Sequence, residues 1–361
     1  NLKWEQTAQT NIGWDLGFFD GRLNIGGDFY YKKTTDLFTN VDVSPINGIT
    51  SYIMNNGDML NKGFSISLNG YPVKTKNFRW YMSTYYSVNL NKVQTDDARN
   101  YNLNDYLNGT AVVSGQPIST FYSYKFLGLN PQNGAPMFDD WEDRWHLLQG
   151  KTLDEVVPMI LVNSGTRDPK FSGDLNNTFT YKNWSLSLNF SYSLGSKVRL
   201  FEMYGPIING ISAAANVREE FLDRWQVPGD EKYTVYPSII SPSSPDYEHY
   251  RLHYSAPQRA VGPNSGVPAF ANNVWQMYDD SDLRVVSGNY LKLQSLSFSY
   301  RLNDRLLRKT PFTQLSISFN THNCFTISAK ELRGQDPSQA GFADAGLSIR
   351  PSYTIGLNVS F

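Results

Sequence analysis

The sequence predicts an all-β protein: the C-terminal part, about nine antiparallel strands, of a large transmembrane β-barrel with long extracellular loops. Three observations carry this prediction: a recurring two-residue alternation of apolar and polar side chains, abundant aromatic residues, and connections that alternate between short and very long. Side chains on a strand point alternately to its two faces, so each such segment has one apolar and one polar face. A soluble β-sandwich also alternates, and the membrane interpretation depends on how often the pattern returns.

Composition limits the possible classes of protein. The chain has 361 residues, of which 40% are hydrophobic, and its mean hydropathy is −0.43. No apolar run reaches the roughly 18 residues of a membrane helix, whereas a barrel strand needs apolar residues only at alternate positions. The 23 Tyr, 21 Phe and 8 Trp suit aromatic girdles at two membrane interfaces. A net charge of −1 gives no reason to expect nucleic acid, and the lone Cys324 excludes an intrachain disulfide.

The first four strands follow from the alternation. They are expected near residues 8–18, 23–31, 64–69 and 78–90. Asp20-Gly21 is a hairpin turn signal between the first two. Residues 40–52 form a longer connection that contains Pro, Gly and Asn, and residues 72–77 form a short turn.

The clearest strands are 171–181 and 184–194. In 184–194 the large apolar residues stand at every even position from Trp184 to Leu194, and Ser or Asn occupies every odd one. Its length of roughly 11 residues suits a tilted strand that crosses a bilayer. Only Lys182 and Asn183 separate the two segments, so we expect a tight hairpin.

The last three strands are expected near residues 290–300, 315–322 and 353–361. In the first of them the apolar phase slips, which predicts a β-bulge near Gln294 and Ser295. Nine strands are an odd number, whereas single-chain bacterial barrels use an even one. An up-and-down sheet of nine cannot close on itself, and we therefore expect further strands to precede this sequence.

Two long insertions, 94–170 and 199–286, interrupt the strands and are expected to be extracellular loops. In the second, residues 214–225 place Val217, Phe221, Leu222 and Trp225 on one face of a predicted helix. In the first, Thr152 and Glu155 have capping-box spacing, although Pro158 limits the prediction to a short turn of helix.

Patterns typical of enzymes and metal sites are weak. His249 and His253 stand four residues apart but lack the Glu of a zinc-peptidase motif, and His322 near Cys324 more simply fits a polar strand face. The acidic residues of 139–143 lack the alternating spacing and central Gly of a calcium-binding EF-hand loop; they are Asp139, Asp140, Glu142 and Asp143. We predict neither an enzyme nor a resident metal or cofactor.

Several segments carry a resemblance to a known family. They are NLKWEQTAQTNIGWDLGFFDGRL, DFYYKKTTDLF, NNGDMLNKGFSISLNG, PISTFYSYKFLGLNPQNGAPMF, PKFSGDLNNTFTYKNWSLSLNFSYSLGSKV, FLDRWQVPGDE and SGNYLKLQSLSFSYRL. In order along nearly the whole chain, they resemble the SusC/RagA-type TonB-dependent outer-membrane transporters of Bacteroidetes. FDDWEDRW stands where many relatives carry a calcium-loop-like segment.

The resemblance implies an outer-membrane location and a barrel of 22 strands closed by a plug. Residues 1–361 would then be the C-terminal portion of the barrel domain and begin at about its fourteenth strand, without the plug. It also implies import of a large nutrient, either a glycan (an oligosaccharide) or an oligopeptide, together with a SusD-like surface lipoprotein. TonB, ExbB and ExbD would act through an N-terminal part outside this sequence, and a dimer of transporter–lipoprotein pairs is compatible with the family. The alternative is a passive porin or a surface adhesion scaffold.

Aromatic residues of the two insertions are candidate contacts for ligand or partner. The candidates are Trp141, Trp145, Tyr204, Trp225, Trp275 and Tyr278, together with Asp279. Their rings could stack on sugar rings or pack against peptide side chains, and Asp279, Asp280 and Asp282 could add hydrogen-bond acceptors near Trp275. The alternative is that the rings fill small cores of the loops themselves or the contact with the lipoprotein.

Overall fold

Nine strands form one antiparallel sheet in the computed structural model, and neighbours in the sheet are neighbours in sequence. The structure describes residues 2–42, 48, 51–95, 101–139, 141–148, 150–205, 217–240, 243–244, 247, 249, 260–261, 267–268, 270, 273–339 and 350–361, without the side chains of 40–42, 51, 142, 145, 260–261, 267–268 and 339. This sheet, which we call the wall, confirms the predicted number and antiparallel order of the strands.

The strands of the wall are β1 (Gln6–Phe18), β2 (Leu23–Thr35), β3 (Asp58–Lys74), β4 (Phe78–Gln94), β5 (Phe171–Tyr181), β6 (Trp184–Leu194), β7 (Tyr290–Arg301), β8 (Gln314–Ser328) and β9 (Ser352–Ser360). Most bounds lie close to the predicted ones. The strand β3 is longer than expected, because pairing resumes after a register irregularity between Gly70 and Val73. The turn between β3 and β4 therefore shrinks to residues 75–77.

The register gathers the large apolar side chains on one face of the wall. Leu186 stands between Phe179 and Phe298, and Phe298 in turn pairs with Phe319. Many residues of this face stay exposed, among them Phe64, Ile317 and Ile355 at 38%, 50% and 80%. The opposite face carries mostly Ser, Asn and Thr, with Tyr among them. A sheet with a bare apolar face of this size is typical of a wall that meets lipid.

The predicted bulge is confirmed at Gln294. Asn189 pairs with Ser295 and Phe190 pairs with Leu293, so Gln294 is the extra residue of β7. Its amide Nε2 donates a hydrogen bond to Ser191 Oγ at 2.8 Å. The bulge keeps Leu291 and Leu293 on the apolar face together with Leu296 and Phe298.

Short and long connections lie at opposite ends of the wall, as predicted. One end carries the connections 19–22, 75–77, 182–183 and 302–313, and the other carries 36–57, 95–170, 195–289 and 329–351. At the first turn Asp20 has φ +53° and Gly21 has φ +79°, the left-handed conformation that tight hairpins require. The alternation means that the long insertions share one end of the sheet.

Smaller elements fill the connections. The helices are α1 (Leu103–Asn108), α2 (Leu153–Ile160), α3 (Val274–Asp279) and α4 (Asp304–Leu307), and the 3-10 helices are Glu142–Leu147, Glu219–Asp223, Asp230–Lys232, Asp282–Arg284, Lys330–Leu332 and Pro337–Gln339. The short strands pair as Phe38–Asp42 with Ser51–Asn55, Thr120–Tyr124 with Leu161–Thr166, Phe126–Leu129 with Pro136–Phe138, Lys197–Arg199 with Val285–Ser287, and Ala260–Val261 with Val267–Pro268. Within the described residues, no helix is long and apolar enough to cross a membrane.

The predicted helix over 214–225 lies partly outside the described residues, which begin again at 217. Over 217–225 the prediction is wrong. The chain forms only a 3-10 helix over Glu219–Asp223, and then the Trp225 N–H donates to the Tyr236 carbonyl. Phe221 and Trp225 are buried, whereas Leu222 is exposed, so these residues do not share one face.

The capping box at Thr152 is confirmed. The Glu155 carboxylate accepts a hydrogen bond from the Thr152 N–H at 2.8 Å. The helix α2 then runs for 8 residues and includes Pro158, so it is longer than the single turn expected.

Candidate functional site

The two longest connections, 95–170 and 195–289, pack together into a unit that we call the cap. Its apolar core combines residues from both connections, and its members include Tyr106, Tyr124, Phe138, Leu148, Val157, Phe221, Phe270 and Met277. The cap meets the polar face of the wall at the long-loop end, where the Val93 N–H donates to the Gln116 carbonyl at 3.1 Å. The Ile118 N–H also donates to Asn91 Oδ1 at 2.8 Å.

The candidate aromatic residues lie mostly inside the cap. Trp141, Tyr204, Trp225, Trp275 and Tyr278 are all buried, and Tyr278 is 0% exposed. In the sequence the tryptophans of these Pro-rich loops look exposed, but Trp141, Trp225 and Trp275 are buried, so that interpretation is wrong for these three. The side chain of Trp145 lies outside the described part of the chain. This burial favours the role in loop cores, and contact with ligand or partner stays a prediction.

Tyr204, Tyr278 and Trp275 are held by specific contacts. The rings of Tyr204 and Tyr278 meet edge to face, with 5.4 Å between their centroids. The Tyr204 hydroxyl donates to the Pro237 carbonyl at 2.5 Å, and Trp275 Nε1 donates to the Ser238 carbonyl at 3.0 Å. Burial raises the pKa of both tyrosines, so their hydroxyls stay neutral. These contacts tie the segment around residue 237 to α3.

Trp225 lies at the edge of the cap, beside a groove of about 500 Å³ that Gln132 and Arg224 also line. Its ring covers Gly134, where a Cβ atom would overlap the indole and where φ is +70°. Trp225 Nε1 donates to Glu231 at 3.3 Å. The residue therefore joins the two insertions at a point where one ring edge meets an open groove.

Asp279 organises the beginning of the second insertion. Its carboxylate accepts hydrogen bonds from the N–H groups of Met203, Tyr204 and Gly205 at 2.9, 2.8 and 2.8 Å. Burial raises the pKa of this carboxyl, although Arg284 and the three N–H groups oppose the shift. A buried acceptor with three donors of its own chain is a structural anchor.

Asp280 and Asp282 connect the two insertions. Asp280 pairs with Arg199, whose guanidinium also donates to the Leu107 and Tyr122 carbonyls of the first insertion at 3.2 and 2.7 Å. Asp282 pairs with Lys125 at 2.8 Å. The sequence predicted hydrogen-bond acceptors near Trp275; the three aspartates do accept hydrogen bonds, but the partners that the structure shows belong to the cap itself.

The connection between β8 and β9 also reaches the cap. Lys292 on β7 pairs with Asp336 at 3.0 Å, and both side chains are buried. Gln335 accepts from the Phe201 N–H and donates to the Arg199 carbonyl, each at 3.0 Å. This connection therefore links the wall to the second insertion, a role that no sequence pattern indicated.

The possible metal residues do not form a described metal site. Arg144 pairs with Asp139 and Asp143, while Asp140 and the side chain of Glu142 lie outside the described residues. His249 is exposed and His253 lies outside the described residues. Among the residues that the structure describes, no group of three His, Cys, Asp or Glu side chains could hold a metal ion.

Within the part of the chain that the structure describes, no hydrogen bond joins His322 to Cys324. The Cys324 thiol contacts Thr321 Oγ1 at 3.5 Å. His322 pairs with Ser295 across the polar face of the wall and is exposed there. Their placement agrees with the interpretation of His322 as a residue of the polar strand face.

One cavity lies where the cap meets the wall. It has a volume of about 420 Å³, within the range of pockets that hold small ligands. Its lining comes from the corner before the Phe38–Asp42 strand, from the ends of β3 and β4, and from the first insertion around α1 and α2. Tyr106 and Tyr122, whose rings meet edge to face at 6.0 Å, form part of this lining. Sequence reasoning did not anticipate this cavity.

Comparison with known sequences gives consistent matches. Residues 1–218 match the family model described as TonB dependent receptor-like, beta-barrel. TonB-dependent receptor P3 of Formosa agariphila is 25% identical over 390 residues, which cover 100% of this chain and 34% of that protein. TonB-dependent receptor SusC of Bacteroides thetaiotaomicron is 30% identical over 222 residues, which cover 58% of this chain and 21% of that protein. The chain spans about a third of the length of the first of these relatives.

Comparison with solved structures supports the fold. A structure of the RagAB peptide transporter aligns with a TM-score of 0.70 at 21% identity, over 100% of this chain and 36% of that one. The RagAB peptide importer in its open-open state gives a TM-score of 0.67 at 20% identity. At this identity the similarity concerns the arrangement of strands and loops.

Proposed function

Because the chain belongs to the TonB dependent receptor-like β-barrel family and lies in the bacterial outer membrane, we propose that it serves TonB-dependent import of a large nutrient. The cargo would be a glycan or an oligopeptide, and the transporter would act with a SusD-like surface lipoprotein. The relative named TonB-dependent receptor SusC supports TonB-dependent import, and RagAB is named as a transporter whose cargo is a peptide. A plug and the segment that TonB contacts would belong to sequence outside these 361 residues.

The observation that carries the proposal is the cap on the polar face of the wall. In outer-membrane barrels short turns face the periplasm and long loops face outside, so the cap would stand at the outer mouth of the lumen. A cap with its own core and cross-links is a preformed surface rather than a set of independent loops. Such a surface is suited to bind cargo before it enters the barrel.

The contact with a lipoprotein has a candidate location on the cap. Leu222, Val227 and Tyr233 are 71%, 57% and 90% exposed, and they stand within 12 residues of one another along the chain. Exposed large apolar side chains close together are typical of protein interfaces. We propose that the lipoprotein contacts this stretch.

The experiment compares the wild-type strain with a strain from which the full-length gene has been deleted. We expect the deletion to abolish growth on one defined polysaccharide or peptide mixture as sole nutrient, and plasmid-borne wild-type protein to restore it. Removal of TonB should give the same loss, because import would need energy. Growth that persists without TonB but needs the barrel would instead support a passive porin.

A further inference from the structure

The cavity between cap and wall has a lining that is unusual for the polar face. Along β3 and β4 this face carries mostly Ser, Asn and Tyr, but at its long-loop end it presents Met59 and Val93, which pair with each other. Leu37, Val113, Ile118 and Val157 extend this aliphatic patch. The rest of the lining includes polar residues, which are Thr39, Asn56, Thr95, Ser114 and Asp154. Where a polar face of a sheet changes locally to aliphatic residues, that place is expected to contact apolar groups.

Packing of the cap accounts for only part of this lining. Val93 and Val157 are buried at 3% and 1% exposure, whereas Ile118 stays 43% exposed and borders the cavity. The volume of about 420 Å³ remains open beside these aliphatic groups. There is therefore room for a group of the size of a large side chain together with part of its main chain.

Two hydroxyl groups open into the same space. Tyr106 and Tyr122 are 3% and 7% exposed and both line the cavity. Among the residues that the structure describes, neither phenolic hydroxyl has a hydrogen-bond partner. Burial raises the pKa of Tyr122, so its hydroxyl remains a neutral donor. Each hydroxyl faces the open cavity without a partner among the described residues, so it can donate to a polar group that enters the cavity.

We propose that the cavity is a subsite for an oligopeptide cargo: it takes one bulky apolar side chain, such as leucine or phenylalanine, while Tyr106 and Tyr122 donate to adjacent main-chain carbonyls. The proposal rests on the import function above and names its substrate class. A peptide offers an apolar side chain beside strong carbonyl acceptors. A sugar ring seated on the patch of Met59, Val93 and Ile118 would bring hydroxyls against aliphatic groups that cannot pair with them, which costs free energy.

The test uses the full-length transporter purified with its lipoprotein partner. Its probes are two synthetic pentapeptides that differ only in a central leucine or serine, and a neutral linear oligosaccharide of similar length. We expect the leucine peptide to bind about tenfold or more tightly than the serine peptide, because the pocket desolvates the leucine. Isothermal titration calorimetry measures the three dissociation constants.

Three variants locate the effect. Ile118→Asn should bring the two peptide affinities to within about threefold, because it places an amide in the aliphatic lining. The matched control Ile53→Asn changes an isoleucine that is 60% exposed and does not line the cavity, and it should keep the preference. Tyr122→Phe should weaken both peptides about equally, by roughly two- to tenfold, because it removes one hydroxyl donor.

The possible outcomes distinguish failure of the subsite from failure of the import function. Equal binding of both peptides by the wild type overturns the subsite and leaves the import function standing. A preference that survives Ile118→Asn also overturns the subsite. If the wild type binds the oligosaccharide and Ile118→Asn weakens that binding, the cavity is a glycan site and the peptide proposal is overturned. If the wild-type complex binds none of the three probes and its deletion strain grows normally, the subsite and the import function both fail.

Discussion

The wall and the cap of this protein place their apolar residues in opposite ways. In the wall, large apolar side chains such as Phe64 and Ile355 remain 38% and 80% exposed on one face. In the cap, Leu148, Val156 and Tyr278 are each 0% exposed and belong to the apolar core that the two insertions share. The difference shows that two parts of one chain are built for two solvents: the wall for lipid and the cap for water.

The two parts also treat charge differently. The apolar face of the wall carries few ionisable groups, whereas the cap is cross-linked by partly buried charged pairs such as Arg199 with Asp280, whose side chains are 18% and 21% exposed. A charged pair of this kind is stable only while both partners are present. The comparison therefore predicts that the stability of the cap depends on a few polar contacts, whereas the stability of the wall in lipid depends on its apolar face.

The largest expected effect concerns Arg199→Ala. The change leaves Asp280 without its partner and removes the donors to Leu107 and Tyr122, so we expect the cap to lose about 3–5 kcal/mol of stability. Limited proteolysis should then cut the insertions much faster, while the heat-dependent gel shift of the folded barrel persists. The control Lys125→Ala removes an exposed pair and should cost about 0–1 kcal/mol. Equal proteolysis of wild type and Arg199→Ala would contradict the role of this pair.

The next effect concerns the apolar face. Leu188→Arg places a charge in the middle of β6, and we expect a loss of about 2–4 kcal/mol in lipid vesicles. The neighbouring Ser187→Arg points to the polar face and should cost clearly less. Urea unfolding of the reconstituted full-length protein measures both. Equal losses for the two variants would mean that the faces meet the same environment.

Much of the wall could be predicted from sequence, because a period of two is a local property. The pattern from Trp184 to Leu194 and the phase slip at Gln294 each identify their element without knowledge of the partner strand. The cap has no such period. Trp225 and Trp275 look exposed in a Pro-rich sequence and become buried only because two insertions far apart in the chain meet.

The polar contacts of the site could not be predicted from the sequence for the same reason. Asp279 bonds to residues more than 70 positions away, and Gln335 to residues more than 130 positions away. No spacing rule relates such residues. The aliphatic patch of Met59 and Val93 is the one signal that could have been noticed, since both interrupt a polar face.

A smaller effect distinguishes two buried tyrosines of the cap. Tyr204→Phe removes the hydrogen bond to the Pro237 carbonyl and should cost about 1 kcal/mol. Tyr278→Phe should be neutral or slightly stabilising, because its buried hydroxyl has no hydrogen-bond partner among the described residues. Hydrogen exchange of the cap amides measures the two changes. A larger cost for Tyr278→Phe than for Tyr204→Phe would contradict this assignment of contacts.

The smallest effect is a response to acid at the link between wall and cap. Burial alone would raise the pKa of Asp336, but hydrogen bonds from Ser338 and Lys292 outweigh it and hold the pKa below its ordinary value. The stability from this carboxylate is therefore present above about pH 4 and is lost as the pH falls through the lowered pKa. Hydrogen exchange of residues 329–339, corrected for intrinsic rates, should rise at acid pH in the wild type. In Asp336→Asn the exchange should be fast already at neutral pH, and a wild-type acid response in this variant would remove Asp336 from the account.

The most direct test of the two-solvent account is a cysteine scan of β6 in the reconstituted full-length protein, with native cysteines, Cys324 included, replaced by serine. Spin labels at 186–190 report their access to oxygen, which concentrates in lipid, and to a water-soluble nickel reagent. We predict strict alternation: Leu186, Leu188 and Phe190 positions accessible to oxygen, Ser187 and Asn189 positions to nickel. Uniform access to nickel along all five positions would contradict the account.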